Sequence, residues 1–354
     1  MNIAIGGILV LVVAGITNGS FTLPMKFTRQ WEWENTWLIY TIWALVIFPP
    51  VLTWLTVPGL GGVYSQTVDA HHLIAIVALC GAGWGASQIF FGLAVEGVGI
   101  ALAFSIILGL AAAVGSLVPL LRQHPDQIFQ PLGLQVLAGV GLVLVGVGIC
   151  ALAGRRREAA QRTFAPPAAA MGGAAAAAEM AMARRPSLLQ GLGFCAISGV
   201  GSALVNIGFS EGQPLLDFAH AHGASAAWAP NAVWLPLMLA GGVPGLIYCG
   251  YLIARNRTGD RFRRAGTATY WWLAGVMGLF WFGSTLLYGI GAGLLGNLGT
   301  VLGWPVFMSL IVITANVLGL LTGEWKGSGS KPVQIMVSGL AVLIAAIVVL
   351  SRAS

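Results

Sequence analysis

The sequence predicts an all-α membrane protein of ten transmembrane helices, arranged as two inverted five-helix repeats. Of its 354 residues, 57% are hydrophobic and only 8% are charged, whereas a soluble domain carries about 25% charged residues. Such a small charged fraction cannot cover a water-facing surface, so the chain is predicted to lie in a lipid bilayer. Its 50 glycines support this interpretation, because helices in lipid associate through small residues that allow close backbone approach.

Ten stretches are long and apolar enough to cross a bilayer, which takes about 20 residues. They are predicted at 3–25, 36–57, 73–95, 98–121, 133–153, 188–209, 231–254, 270–290, 298–321 and 333–351. The connections at 95–98 and 291–297 are short. This predicts antiparallel hairpins of the third with the fourth segment and of the eighth with the ninth.

Positive charge is concentrated in the odd-numbered connections. All 17 Lys and Arg residues except Arg122 and Arg352 lie there. Because basic loops stay in the cytoplasm, these connections are predicted to be cytoplasmic and both termini to face outside. The basic runs are interpreted as topology signals, and no nucleic-acid partner is expected.

Residues 154–187 differ in composition from the rest of the chain, with an arginine run, prolines and an alanine tract. They are interpreted as a cytoplasmic linker, partly disordered or loosely helical. The linker divides the chain into a first five-helix repeat at 1–153 and a second at 188–354. Because five is odd, the halves cross the membrane in opposite senses, as in the inverted repeats of secondary transporters.

The third segment of each half carries matching residues. A shift of 197 positions places Gly81 on Gly278, Trp84 on Trp281, Phe91 on Tyr288 and Gly92 on Gly289. In the first half, Trp84 and Gln88 share one helical face, and Trp281, Ser284 and Tyr288 do so in the second. This weak similarity supports the repeat.

Polar side chains inside apolar segments are costly unless a partner or water satisfies them. They therefore either bond to another helix or line a cavity, and both interpretations stay open. An amide donates and accepts at once, and a flat indole stacks on the C–H face of a sugar ring, so the set suits a neutral sugar or polyol. The candidate substrate-binding residues are Trp84, Gln88, Asn206 and Trp281, followed by Asn18, Ser202 and Trp234.

None of the 11 acidic residues falls at a predicted mid-membrane level. Proton-coupled carriers often use a buried carboxylate, so no obvious proton relay is predicted. Glu211, just past the sixth segment, and Glu96, at the turn of the third and fourth, are weak candidates for proton coupling. The alternative for each is a solvated charge at a helix end.

No motif for catalysis or metal binding is found. The four cysteines lie in separate apolar runs without metal-ligand spacing and are interpreted as small buried residues. We therefore expect no enzymatic activity, no cofactor and no metal. A nucleotide-driven pump is disfavoured because no soluble nucleotide-binding domain is present.

Several short motifs carry a family resemblance. They are Pro24-x-Lys26 with Trp31-x-Trp33-Glu34-x-x-Trp37, Gly81-x-x-Trp84-Gly85, Gly115-Ser116-Leu117-Val118-Pro119, Asn206, Trp234, Gly241-Gly242, Tyr248-Cys249, Trp281, and Glu324-Trp325 with Pro332. Together they resemble the bacterial L-rhamnose–proton symporter family, a branch of the drug/metabolite transporter superfamily, over nearly the whole chain except the linker.

The resemblance implies a drug/metabolite transporter fold in the bacterial inner membrane and uptake of L-rhamnose or a related sugar driven by protons. It places Trp31, Trp33 and Trp37 at the cytoplasmic interface, where they are expected to anchor the second segment. Glu34 with Lys26 is either an inner gate pair or a surface salt bridge.

The predicted function is a secondary carrier that imports a small neutral sugar with protons by alternating access. Its expected partners are the sugar, protons and the lipid bilayer, and its oligomeric state stays open. One alternative is a carrier of the same fold for another monosaccharide, a nucleotide sugar or an amphipathic metabolite. Another is a non-transporting membrane sensor, in which the polar stripes would be packed shut.

Overall fold

The computed structural model describes residues 3–164 and 186–352. In these two ranges all regular secondary structure is helical, and ten helical stretches are long and apolar enough to span a membrane. We call them span 1 to span 10 in chain order. The helical class and the number of spans predicted from hydropathy are confirmed.

The spans of the first half follow the predicted segments closely. Span 1 is the α-helix Ile3–Ser20 with the 3-10 helix Leu23–Phe27, span 2 is Trp33–Thr41, Ile42–Ile47 and Phe48–Thr56, span 3 is Ala70–Val98, span 4 is Ile100–Gln123 and span 5 is Pro131–Phe164.

The spans of the second half agree equally well with the prediction. Span 6 is Leu188–Glu211, span 7 is Asn231–Asn256, span 8 is Ala268–Leu294, span 9 is Gly299–Leu321 and span 10 is Ser330–Ser351.

Two short helices that hydropathy does not predict follow span 2 and span 6. They are Leu60–Gln66 and Gln213–Ala221, and each lies in the connection to the next span. They are too short to meet the length criterion for a membrane helix. The first follows the second span of its half and the other follows the first span of its half, so the two extra helices do not lie at equivalent places.

Span 5 continues past its predicted end at residue 153 and reaches Phe164. The first part of the predicted linker is therefore helical, and residues 165–185 lie outside the described part of the chain. Arg, Glu, Ala and Gln, which make up most of this extension, are strong helix formers. The helix can therefore persist after its side chains become too polar for lipid.

Span 2 changes helical type at its centre, where a π-helical turn, Ile42–Ile47, separates two α-helices. The N–H of Phe48 bonds to the carbonyl of Trp43, five residues back. Pro49 and Pro50 follow directly and have no N–H to donate, so regular α-helical bonds cannot form across this point. π-Helical turns of this kind are frequent at functional sites.

The spans pack in pairs that recur in the two halves. Span 3 packs against spans 6 and 7, and span 8 packs against spans 1 and 2. Span 4 packs against spans 5 and 6, and span 9 against spans 10 and 1. Spans 2 and 7, 4 and 9, and 5 and 10 also pack together. If five is added to each span number, and counting returns to span 1 after span 10, the neighbours of spans 3 and 4 become those of spans 8 and 9.

Small residues allow the closest of these approaches. A side chain at Gly81 would collide with the backbone of Leu237, and one at Gly85 would collide with the carbonyl of Gly241. Both glycines belong to span 3, and both partners belong to span 7. Their four-residue spacing places them on one helical face, so that face lies directly against the neighbouring backbone.

The two ends of the bundle differ in charge. Lys26 lies at the end of span 1, and Arg261 and Lys326 lie in the connections after spans 7 and 9. Lys26 forms a salt bridge with Glu324 in the connection after span 9, and Arg261 forms one with Glu32 in the connection after span 1. We call this end the basic face and the other end the opposite face.

Candidate functional site

The centre of the molecule is occupied by Trp84 and Trp281. Their indole rings stack with centroids 5.3 Å apart and planes inclined by 17°. Trp84 is the middle residue of the 29-residue span 3, and Trp281 is the middle residue of the 27-residue span 8. Both stay partly exposed, so the neighbouring side chains do not enclose the stack completely. Tyr40 of span 2 meets Trp281 edge-on, with ring centroids 6.4 Å apart.

Gln88 lies one turn from Trp84 on the side of the basic face. Its Nε2 donates to the Ser202 hydroxyl of span 6 at 3.2 Å and to the Ser87 hydroxyl at 3.3 Å. Gln88 and Ser202 are both partly exposed. An amide and a hydroxyl therefore lie beside the indole stack and can exchange hydrogen bonds with a hydroxylated solute.

Asn18 reaches the same region from span 1. Its Nδ2 donates to the Ser284 hydroxyl at 2.7 Å, and that hydroxyl donates to the carbonyl of Trp281 at 2.6 Å. Asn18 is thus held against span 8, close to the backbone that carries the second indole. The structure brings five predicted residues together as a central site: Trp84, Gln88, Trp281, Asn18 and Ser202.

Asn206 lies between the central site and the opposite face, and it is fully buried. Its Nδ2 donates to the carbonyl of Gly115 at 2.7 Å and to that of Thr300 at 3.0 Å. Its Oδ1 accepts a hydrogen bond from the Tyr288 hydroxyl. One side chain therefore ties span 6 to spans 4, 8 and 9, so its polar groups are already engaged by protein.

Trp234 is enclosed beside Asn206. It stacks on Phe209 with ring centroids 4.2 Å apart and planes inclined by 5°, and Tyr288 lies 6.3 Å away. Among the residues that the structure describes, its buried Nε1 has no hydrogen-bond partner. We call Asn206, Phe209, Trp234 and Tyr288 the opposite-face cluster. Each of these side chains is at most 2% exposed. Asn206 and Trp234 thus lie apart from the five residues of the central site.

The two candidates for proton coupling lie at the ends of spans. Glu211 is at the opposite-face end of span 6 and forms an ion pair with Arg122 of span 4 at 3.1 Å. The Glu211 side chain is 19% exposed. Glu96 is exposed near the basic-face end of span 3. The indole stack of Trp84 and Trp281 therefore lies between the carboxylates of Glu211 and Glu96, which are near opposite ends of the spans.

On the basic face, Glu324 pairs with two cations. Lys26 Nζ lies 2.9 Å from its Oε1, and Arg157 Nη1 lies 3.7 Å from its Oε2. The hydrogen bond from Lys26 holds the pKa of Glu324 below its ordinary value, although partial burial opposes this effect. The pairing of Lys26 with Glu34 considered from the sequence is therefore wrong.

Trp31 and Glu34 attach the start of span 2 to the connection after span 7. Trp31 donates from Nε1 to the carbonyl of Arg261 at 3.1 Å. Glu34 is 6% exposed and accepts hydrogen bonds from Asn256 and Thr258, at 3.0 and 3.1 Å. Asn256 and Thr258 are neutral partners, so Glu34 is buried with hydrogen bonds and without a cation within salt-bridge distance among the described residues.

A family model described as L-rhamnose-proton symport protein (RhaT) matches residues 1–354. The chain belongs to this family. Relatives named L-rhamnose-proton symporter in Yersinia pestis strain Pestoides F and Yersinia pseudotuberculosis serotype O:1b strain IP 31758 are 26% identical over 98% of this chain and 96% of their own. The relative of that name in Pectobacterium atrosepticum is 26% identical over 96% and 95%.

The motif residues that carry the resemblance to the L-rhamnose-proton symport family lie in two parts of the structure. Trp31, Glu34 and Glu324 lie on the basic face, where they fix connections between spans, whereas Trp84 and Trp281 lie in the centre. Sequence reasoning missed Tyr40 and Thr300. Tyr40 had a detectable signal, since it is a polar aromatic residue inside an apolar segment, but Thr300 contributes a backbone carbonyl that any residue type would supply.

Proposed function

We propose that this protein imports L-rhamnose together with protons by alternating access. The single observation that carries the proposal is the family match over the whole chain, and the relatives that share its length bear the name L-rhamnose-proton symporter. The chemistry of the central site is compatible with this substrate class and supports the assignment independently.

Two stacked indoles with amides and hydroxyls beside them suit a neutral sugar. Indole faces contact the C–H surface of a sugar ring, while Gln88, Ser202 and Asn18 can exchange hydrogen bonds with its hydroxyls. In the described part of the chain, the ionisable carboxylates and cations lie near the ends of spans, so the centre offers no charge to a charged substrate. With centroids 5.3 Å apart, the indoles must separate to admit a sugar ring.

We propose that the two halves, 1–153 and 188–354, form an inverted repeat of the drug/metabolite transporter type joined by a linker at 154–187. The exchange of neighbours between spans 1–5 and spans 6–10 supports this arrangement. The equal mid-span positions of Trp84 and Trp281 also support it, because a pseudo-two-fold axis in the membrane plane would relate them.

We place the basic face in the cytoplasm and both termini outside, in the bacterial inner membrane. The concentration of Lys and Arg in the connections of one face supports this orientation. In that orientation Glu211 meets protons from outside and Glu96 from inside. Glu211 is the better coupling candidate, since protonation would release its partly buried pair with Arg122.

The conformation corresponds to access from the basic face. Among the described residues, all hydrogen bonds and ring contacts that join spans 3, 4 and 6 to spans 1, 8 and 9 lie at the level of the indole stack or nearer the opposite face. Gln88 and Ser202, on the side of the basic face, stay partly exposed.

The test is uptake of labelled sugars into cells that lack other rhamnose carriers, with and without a proton uncoupler. We expect L-rhamnose to accumulate and the uncoupler to abolish accumulation. Trp281→Ala should lower uptake about tenfold or more, the equivalent of about 1.4 kcal/mol. Trp272→Ala is the matched control, because Trp272 lies in the same span with 72% of its surface exposed.

Three results would contradict separate parts of the proposal. Accumulation of another monosaccharide, a nucleotide sugar or an amphipathic solute in place of rhamnose would change the substrate. Uptake that ignores the uncoupler would remove proton coupling. Equal uptake by Trp281→Ala and Trp272→Ala would show that the central site is not where the sugar binds.

A further inference from the structure

The opposite-face cluster has a counterpart in the first half of the chain. Span 6 carries Asn206 and Phe209 three positions apart, and span 1 with its 3-10 extension carries Asn18 and Phe21 at the same spacing. Two further pairs are each 197 positions apart in the sequence: Trp37 with Trp234, and Phe91 with Tyr288.

The counterparts also occupy matching depths. Trp234 is the fourth residue of span 7 and Trp37 the fifth of span 2. Tyr288 lies close to the end of span 8 at the opposite face, and Phe91 lies close to the end of span 3 at the basic face. We call Asn18, Phe21, Trp37 and Phe91 the basic-face set.

The two sets differ in how their members are engaged. In the opposite-face cluster, Tyr288 bonds to Asn206 and its ring lies 5.9 Å from that of Phe209. In the basic-face set, Phe91 instead packs edge-on against Phe104 in the next span, with centroids 4.7 Å apart. Phe91 is also partly exposed, so its ring is not enclosed as that of Tyr288 is.

The first part of the basic-face set is already assembled. Phe21 lies 6.2 Å from Trp37, just as Phe209 lies against Trp234 in the other half. Asn18 donates to Ser284, and both Phe21 and Trp37 are partly exposed. What the basic-face set lacks, relative to the opposite-face cluster, is the contribution from span 3.

We propose that the basic-face set is a second gate, which closes when Phe91 leaves Phe104 and packs against Phe21 and Trp37. The inference rests on the proposed inverted repeat and alternating access. If the two halves exchanged conformations, the basic-face set would adopt the arrangement that the opposite-face cluster has in this structure. Phe21, Trp37 and Phe91 are then positioning residues of the gate on the basic face.

One chemical difference separates the two gates. Tyr288 carries a hydroxyl that donates to Asn206, whereas Phe91 has none and cannot donate to Asn18. The closed opposite-face gate therefore has one buried hydrogen bond that the closed basic-face gate lacks. A net hydrogen bond shifts an equilibrium about fivefold, which biases the empty carrier toward the conformation with the basic face accessible.

The experiment measures this bias without any sugar. Spin labels are attached at Gly193→Cys near the start of span 6 and Lys326→Cys in the connection after span 9, in a background where the four native cysteines are alanine. Both positions are exposed, and, outside the helical turns around Gly193 itself, no heavy atom of the described residues lies within 4 Å of a Cβ there. The distance distribution of the protein in lipid nanodiscs reports the fraction with a closed basic face as a shorter distance.

Tyr288→Phe removes the hydroxyl from one gate, and Phe91→Tyr adds it to the other. Each should raise the ratio of short-distance to long-distance populations about fivefold, and the double variant should raise it further. Asn18→Ala should cancel the effect of Phe91→Tyr while leaving that of Tyr288→Phe.

Two results would overturn the proposal. An unchanged distribution in Phe91→Tyr, together with a shift in Tyr288→Phe, would show that Phe91 does not close the basic face. A Phe91→Tyr effect that persists in the Asn18→Ala background would exclude Asn18 as its partner. Because no substrate is present, these outcomes are independent of whether the imported sugar is rhamnose.

Discussion

Different interactions hold the spans together on the two sides of the indole stack. Toward the opposite face, Asn206 bonds to Gly115, Thr300 and Tyr288, and all three bonds are buried. Toward the basic face, Lys26 and Glu324 form an ion pair in which each side chain is 47% exposed. The bonds to Thr300 and Tyr288 join span 6 to spans 9 and 8, whereas the ion pair fixes connections at the rim.

The two kinds of contact are expected to have different roles. The buried hydrogen bonds favour one conformation, whereas the exposed ion pair only stabilises the fold. A buried polar group left without a partner costs about 1–3 kcal/mol, so the cluster around Asn206 resists opening. An exposed ion pair contributes about 0–1 kcal/mol, so the rim contacts at Lys26 and Glu324 affect the accessible conformation little. Substitutions on the two sides should therefore differ in size as well as in kind.

The largest effect is expected from Asn206→Ala, which removes three buried hydrogen bonds worth about 1 kcal/mol each. It should lower the free energy of unfolding by about 3 kcal/mol and increase hydrogen exchange at the opposite-face ends of spans 8 and 9. Ser198→Ala is the control in the same span, because the buried Ser198 hydroxyl has no hydrogen-bond partner in the described part of the chain. Equal loss of thermal stability in both variants would contradict the role assigned to Asn206.

The two halves of the chain can be compared through one pair of glycines. Gly81→Ala would collide with the backbone of Leu237, whereas a Cβ at Gly278 would lie 3.0 Å from the backbone nitrogen of Ala44 in the irregular span 2. Overpacking costs about 1–3 kcal/mol, and we expect Gly81→Ala to fall at the upper end and Gly278→Ala at the lower.

Gly92→Ala should not lower stability by overpacking, because no described heavy atom beyond its own helical turns lies within 4 Å of a Cβ there. Thermal unfolding of the three purified variants in detergent measures the order. If Gly278→Ala were as costly as Gly81→Ala, the two contacts would be equally tight, and the π-helical turn in span 2 would give no extra adaptability.

The hydrogen bond that Trp304 donates can be isolated from the packing of its ring. Trp304→Phe removes the indole N–H that donates to the carbonyl of Ala111 at 2.8 Å. Trp234→Phe removes an N–H that has no partner within residues 3–164 and 186–352. Both substitutions delete the same atoms from buried sites, so the difference between them should be about 1 kcal/mol. Parallel denaturation curves for the two variants check it, and a larger loss for Trp234→Phe would show that cavity size dominates.

The spans themselves could be predicted because each is apolar over its own length, whichever span it packs against. The central residues Trp84, Gln88 and Trp281 could be singled out for a related reason, since polar and aromatic groups stand out in such helices. The positions of Asn206 and Trp234 could not be predicted. Their burial is set by contacts with spans distant in sequence, such as those of Asn206 with spans 4, 8 and 9.

The partners of charged residues were also beyond prediction. Lys26 and Glu34 are near in sequence, yet Lys26 pairs with Glu324 from the last connection. Glu34 is instead satisfied by Asn256 and Thr258. Positive-residue counts show which connections share a face, but the pairing within that face depends on the order in which the spans are arranged around the bundle.

The smallest effect is expected at the rim, from Glu324→Gln. The hydrogen bond from Lys26 lowers the pKa of Glu324 in the folded protein, so its stabilising contribution is present above the unfolded pKa and is lost as pH falls through the folded one. At neutral pH the variant should lose less than about 1 kcal/mol, because both side chains are half exposed.

A double-mutant cycle with Lys26→Gln separates the pair from other effects of each substitution. We expect the coupling energy to be present at neutral pH, to decrease in acid, and to decrease in high salt because solvent ions screen exposed pairs. Spin-label distances across the basic face should stay unchanged in all three variants. A shift toward the shorter distance in Glu324→Gln would show that the rim ion pair selects the accessible side, a role that we propose only for the opposite-face cluster.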